Sequence, residues 1–364
     1  MPLVEEASAL VPPNEMSWPP KLPMAAATAF LVRTCELTEE KAKRLQKWHT
    51  DLHERARNVD FWLAYDVDAR CISKEHPWRT WTPRPYVFNY SSAWMEASYP
   101  ALWNVRSCAP QERHLAKPWV YHQESIALFF VRHGRRYRHT WVFEDDADYS
   151  GHISDFLAAY SDDDADLLSQ PHAVTGDIDA IVPASWIWNE CVTPSFAAAI
   201  PRRARRAAAE HVQRFSRRFL RHLHMASRNG LVAHSELSIP SLCKARLYHA
   251  PPFSWRALKP HHIGHKYCFD TRMTEDEFSS APRGKLYHAV KPNPVSAELK
   301  DKDLIPQIDV PLDGGALFRA PDWFSGPVRV INFTLGFHHG TNSPLALAAK
   351  AVQASTAAAV AEIT

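Results

Sequence analysis

Short apolar runs alternate with segments of helical spacing along the first half of the chain. Ala25–Val32 is apolar and reads as a buried strand. Thr38–Arg57 is rich in Glu, Lys, Ala, Leu and Gln. Thr38 suits an N-cap, and Glu39 and Glu40 suit the positive end of a helix. Asp60–Tyr65 is a second apolar run, stopped at Asp66. A strand, a helix and a strand in close succession make a βαβ unit with a parallel pair.

The rest of the chain continues the alternation. Residues 72–120 are rich in Pro and Trp, with a helix expected at Ala93–Trp103. Gln123–His133 has apolar residues at Ile126, Phe129 and Phe130 and reads as a helix. Thr140–Phe143 reads as a strand and Ile153–Tyr160 as a helix, with strand edges at Asp166–Ser169 and Asp179–Pro183. Arg202–Arg228 reads as one long helix. Val212, Phe215, Phe219 and Leu223 form its apolar stripe, and Arg214, Arg217, Arg218 and Arg221 lie elsewhere on its surface. Such a face suits solvent, and also an anionic acceptor or membrane surface. The pattern predicts an α/β protein: a Rossmann-type mixed sheet flanked by helices, in a single main domain over 25–295. A Pro-rich lead-in covers 1–24, and an extension over 296–364 packs on the core and ends in an Ala-rich helix.

Composition narrows the function classes. The 42 Lys and Arg against 40 Asp and Glu leave a net charge of +2, which does not mark nucleic acid or membrane as the main partner. No run approaches the roughly 20 apolar residues of a membrane span. A soluble protein is expected, cytoplasmic, or in the Golgi lumen if an anchor is missing. Six Cys without a CxxC pair argue against structural zinc and thioredoxin-like chemistry. Thirteen Trp and 28 Pro beside 11 Gly point to rigid, aromatic-bearing loops, which suit either a carbohydrate cleft or aromatic packing.

The sharpest chemical signal is Trp141-Val142-Phe143-Glu144-Asp145-Asp146-Ala147-Asp148, an apolar strand running into four carboxylates. Ligands of open α/β sheets bind beyond the carboxyl ends of strands. Crowded carboxylates repel unless a cation joins them or water screens them, and Mg²⁺ and Mn²⁺ share oxygen ligands with substrate phosphates. The run also fits an exposed acidic turn. A second run, Asp162–Asp166, has no strand before it and reads as a solvated turn, with Asp166 capping the next element.

Glu144-Asp145-Asp146, with Asp148 adding a DxD pair, resembles the metal-binding motif of GT-A-type nucleotide-sugar glycosyltransferases. The resemblance covers roughly residues 25–295. It implies a GT-A-like fold and transfer of a sugar from a UDP- or GDP-linked donor to a hydroxyl of a glycan or other acceptor, with Mn²⁺ or Mg²⁺. By the resemblance Asp146 and Asp148 hold the metal, Glu144 and Asp145 contact the nucleoside, and the strand ends at Arg33 and Asp66 line the nucleotide site. It also implies a late His ligand, for which His288 is the candidate, and a later carboxylate base. Glu236, in Ala233-His234-Ser235-Glu236-Leu237, fits that base in an inverting reaction, and equally fits a helix cap. Trp186 and Trp188 suit a floor for the donor or acceptor sugar, or a packed loop. Two further functions fit the same carboxylates: a catalytically inactive GT-A-like binding protein, and a metal-dependent phosphoester hydrolase.

Overall fold

Strand β1 (Thr28–Thr34) sends Ala29 and Leu31 into one apolar layer and Phe30 and Val32 into another. Strand β2 (Val59–Asp66) does the same, with Trp62 and Ala64 opposite Phe61, Leu63 and Tyr65. Strands apolar on both faces belong inside a sheet covered on both sides. In the computed structural model, which describes residues 28–34, 37–67, 77–105, 122–245, 247, 252–265, 267, 273–288 and 290–291, that is where they lie. β1 pairs in parallel with β2 and with β4 (His139–Glu144), and β2 pairs in parallel with β3 (Tyr86–Tyr90).

The sheet is completed by β6 (Leu167–Pro171), β7 (Ala208–Ser216) and β8 (Trp255–Arg256), in the order β3-β2-β1-β4-β7-β6-β8. Only β7 runs antiparallel to its neighbours. Helices α1 (Glu39–Arg55) and α4 (Ile153–Ala158) cover one face, through Leu45, Trp48, Leu52 and Phe156. The other face carries α2 (Ser92–Ser98), α3 (His122–Arg132), α5 (Pro194–Ala199), α6 (Arg217–Arg228) and α7 (Ser235–Lys244). The expected α/β class and mixed sheet flanked by helices are both observed. The described residues lie in one compact unit, and the segments 1–24 and 296–364 fall outside them.

Most expected elements stand within a few residues of their sequence bounds. Thr38 caps α1 as expected, its hydroxyl accepting from the Lys41 backbone at 3.3 Å. The expected helix at Ala93–Trp103 is split, because α2 stops before Pro100 and a 3-10 turn, Pro100–Val105, follows. Asp179–Pro183 forms no strand. The largest correction falls on Arg202–Arg228. The segment is a 3-10 turn (Arg202–Ala204), then β7, then α6. All nine residues of β7 are buried, and the strand pairs with β4 on one edge and β6 on the other; that burial overrides the helical spacing of Val212 and Phe215. Arg214, expected on a surface, is fully buried. Its guanidinium donates to the carbonyls of Tyr160 (2.8 Å), Asp163 (2.7 Å) and Ala165 (3.1 Å), and burial lowers its pKa to about 10.

Two small ladders, separate from this sheet, organise the later segments. β5 (Asp148–Tyr149) pairs antiparallel with β10 (Leu286–Tyr287), and β9 (Met273–Thr274) pairs in parallel with β11 (Val290–Lys291). The Val290 backbone N–H also donates to the Asp146 carbonyl at 3.0 Å. Residues 286–288 and Val290 are thereby drawn onto the carboxylate cluster.

Burial holds six histidines in their neutral form. His49, His139, His224 and His262 are pushed down to about 4, and His172 and His234 to about 3. The unfolded chain protonates each near 6.5, so between about pH 6.5 and 4 it binds more protons than the folded chain, and stability falls as pH falls. Glu124 and Asp148, raised by burial to about 8 and about 7, and Asp145, also raised by burial, contribute the opposite slope. Six groups against three leave a net loss in acid. The melting temperature at pH 5 is therefore expected several degrees below that at pH 7, and an equal or higher value at pH 5 would contradict this balance.

Candidate metal centre and active site

Because β7 opposes its neighbours, its first residues share an edge of the sheet with the carboxyl ends of β1, β2, β4 and β6. Thr34, Asp66, Glu144, His172 (one residue beyond β6) and His211 collect on this edge. The strand order reverses between β1 and β4, which is where a ligand crevice forms in an open α/β sheet. The acidic cluster stands at that reversal.

Its four carboxylates are all buried and are neutralised in different ways. Asp145 Oδ2 accepts from the Thr34 hydroxyl at 2.7 Å and from Lys41 Nζ at 3.0 Å, and its carbonyl accepts from Arg44 at 2.6 Å. Burial nevertheless raises its pKa. Asp148 pairs with Arg44 Nε at 2.9 Å and accepts from its neighbour's backbone N–H at 2.7 Å, while burial pushes it up to about 7. Glu144 faces two imidazoles, His211 Nδ1 at 2.7 Å and His288 Nε2 at 3.3 Å. Burial alone would raise its pKa, but the two imidazoles hold it well below the carboxylate range. His288 Nε2 also lies 3.6 Å from Asp146 Oδ1.

The ligating atoms of Glu144, His211 and His288 lie within 4.8 Å of one another, as a single metal ion would need. The two imidazoles stack with centroids 3.3 Å apart at 14°. His211 is lowered first by burial and then by His288. An anionic carboxylate beside a neutral imidazole is the protonation state that metal ligands require. His211 Nε2 is buried with no hydrogen-bond partner among the described residues. The donor set therefore fits a divalent cation.

A second cluster surrounds Glu236, near the start of α7. The Trp188 indole N–H donates to Glu236 Oε2 at 3.0 Å, and His172 Nε2 lies 3.6 Å from Oε1. His234 caps α7, accepting from the Glu236 backbone at 3.4 Å, and stacks on Trp188 with centroids 3.9 Å apart at 5°. Trp186 packs against His172 at 5.0 Å. His172 and His234 are kept neutral first by burial. His211 then lowers His172 further, while the Glu144 charge acts on His234 in the raising direction. The two clusters thus share one electrostatic environment.

The structure brings Glu144, Asp146 and His288 together as candidate ligands and sets Asp148 apart, paired with Arg44. Glu144, expected at the nucleoside, stands among the metal-ligating atoms. Asp145 is engaged by Thr34, Lys41 and Arg44. Arg33 and Asp66 are buried at the ends of β1 and β2, and Arg33 is the register partner of Glu144. Trp186, Trp188 and Glu236 form one group. Sequence reading missed His211, His172 and His234. Reading β7 as helix hid His211, whereas His234 was visible two residues before Glu236.

No protein-family model matches the chain, and no curated protein matches it. Among solved structures, mouse xyloside xylosyltransferase 1 in its apo form aligns with a TM-score of 0.36 at 10% identity, over 72% of this chain and 97% of that one. The mannosyltransferase Ktr4p from S. cerevisiae aligns with a TM-score of 0.31 at 9% identity, over 61% of this chain and 67% of that one. Core-mannan synthase A from Aspergillus fumigatus, in an Mn/GDP form, aligns with a TM-score of 0.32 at 11% identity, over 59% and 68% of the two chains. These structural neighbours are GT-A glycosyltransferases. Likeness at this level carries no argument about substrate or reaction, which rest on the side chains described above.

Proposed function

We propose that the chain, through a domain spanning 25–295, is a divalent-metal-dependent glycosyltransferase acting on a UDP- or GDP-linked sugar and a hydroxyl acceptor. The observation that carries this reading is the group formed by Glu144, His211 and His288 at the strand-order reversal. Asp146 lies beside it, and a carboxylate held by Trp188, with His172 alongside, shares its environment. A divalent cation held there supplies positive charge to a diphosphate leaving group. Mixed imidazole and carboxylate donors suit Mn²⁺ better than Mg²⁺. Glu236 is positioned by Trp188 and His172 to take the proton of an acceptor hydroxyl, in an inverting reaction. The flat faces of Trp186 and Trp188 offer stacking area to a sugar ring, and Arg33 and Asp66 stand at the strand ends beside the nucleotide crevice.

A second reading has one observation in its favour: two His and one Glu are also the donor set of zinc hydrolases. A hydrolase of that kind would be stabilised by Zn²⁺ alone, with no added effect of a nucleoside diphosphate. The glycosyltransferase reading expects Mn²⁺ and UDP or GDP to raise the melting temperature together, more than either does alone.

The ligand assignment is testable residue by residue. Glu144→Gln and His211→Ala are expected to weaken Mn²⁺ binding by at least the roughly 10–100-fold typical of lost outer-shell partners. Asp148→Asn is expected to leave Mn²⁺ binding near normal, because its carboxylate is committed to Arg44. The reverse result in calorimetric Mn²⁺ titrations would return the metal to Asp148.

Glu236→Gln keeps the shape of the side chain and removes its basicity. Transfer, assayed over a panel of UDP- and GDP-sugars, is expected to fall by roughly 10²–10⁴-fold, with nucleoside diphosphate affinity unchanged. Transfer close to that of the unaltered protein would confine Glu236 to structural duty at the start of α7.

A further inference from the structure

The balanced net charge of the whole chain conceals an uneven surface. No acidic residue occurs from Ser125 to Phe143 or from His211 to Ser235, and these two stretches are neighbours in space. They meet where α3 turns into β4 and where β7 passes into α6. There the Arg217 backbone N–H donates to the Arg138 carbonyl at 2.9 Å, and the Arg217 guanidinium donates to the Arg135 carbonyl at 3.5 Å. Arg217, Arg221, Met225 and Arg228 follow one another at spacings of four, four and three residues, so they form a single stripe along α6, and all four are exposed. Arg132, Arg135 and Arg138 are exposed on the adjoining turn.

The nearby acids are already matched. Asp60 is engaged by Arg136 at 2.9 Å, and Asp166 by Arg218. Among the described residues, Arg138, Arg217, Arg221 and Arg228 have no carboxylate within salt-bridge distance. The His224 imidazole on the same helix is lowered first by burial and then by Arg228 and Arg135.

Two apolar side chains project from the same surface. Met225 is 47% exposed on the arginine stripe, and Trp94 is 40% exposed beneath the Arg132 guanidinium, 5.4 Å from its ring centroid. Arginines alone would serve any polyanion. Arginines interleaved with an exposed Met and an exposed Trp match a lipid surface, where charge meets phosphate headgroups and apolar tips enter the boundary with the acyl chains. The surface also has a definite place in the fold. Arg138 precedes β4 and Arg217 follows the antiparallel β7, so both stand at the opposite edge of the sheet from Glu144.

We infer that this arginine face binds an anionic lipid membrane. The inference is independent of the glycosyltransferase reading. The test is co-sedimentation of the full chain with vesicles of phosphatidylcholine alone and of an equal mixture with phosphatidylserine. Binding is expected only to the mixture and is expected to weaken as salt shortens the Debye length. Arg217→Glu/Arg221→Glu should lower affinity by roughly 30-fold or more, since each basic residue near such a surface contributes about a fivefold change. If that pair fails to fold, Arg217→Gln/Arg221→Gln replaces it, with a smaller loss expected in the same direction. Met225→Ser should weaken vesicle binding without altering charge. Equal sedimentation with both lipids, or unweakened binding by the arginine variants, overturns the inference. It is also overturned if single-stranded RNA displaces the protein from vesicles while Met225→Ser binds normally, which would make the face a nucleic-acid surface.

Discussion

Four carboxylates within five positions, all buried at the end of a central strand, set the constraint on which the rest of the structure depends. Burial penalises each charge and proximity penalises them together. The fold answers with partners brought from several elements. Lys41 and Arg44, one helical turn apart on α1, reach Asp145 and Asp148, and Thr34 donates from the end of β1. Glu144 is met from the other side by His211 and His288, the latter also close to Asp146.

This division has a chemical consequence. Asp145 and Asp148 are engaged by fixed cations of the protein, so their charges are spent on joining α1 to the sheet edge. Among the described residues Glu144 faces the imidazoles of His211 and His288, whose neutral nitrogens can ligate a metal ion. The group able to hold a metal therefore differs from the one a DxD motif implies, since the ligating atoms of Glu144, His211 and His288 are those that lie within 4.8 Å of one another among the described residues. The carboxylates closest together in sequence have different partners because different elements approach them.

The sheet also separates two poles. At one, strand ends and the start of β7 gather Glu144, His172 and His211 with the Trp188-held Glu236. At the other, the turns into β4 and out of β7 carry arginines without acidic neighbours in the chain. The antiparallel β7 links the two directly, since it begins beside the Glu144 and His288 group and leads into the arginine stripe of α6. Inside it, Arg214 lies in the sheet interior and ties the strand to the carbonyls of the loop after α4.

Much of this was legible in the chain itself. The apolar runs at β1, β2 and β4, the capped helix between the first two and the acidic residues ending the third are local features. They follow from burial of short apolar segments and from capping chemistry. They sufficed for the α/β class and for placing the cluster at a strand end. Long-range pairing decided the rest. β7 carries helix-like spacing, and it is a strand because its nine residues fill the gap between β4 and β6, where both faces are covered and both edges bonded. That insertion delivered His211. The ladder of β10 on β5 delivered His288, from far along the chain, to Glu144 and Asp146. Residue types near the cluster were set by sequence alone, but which of them share a metal-sized space was set by strand pairing, because hydrogen-bonded register depends on partners far along the chain.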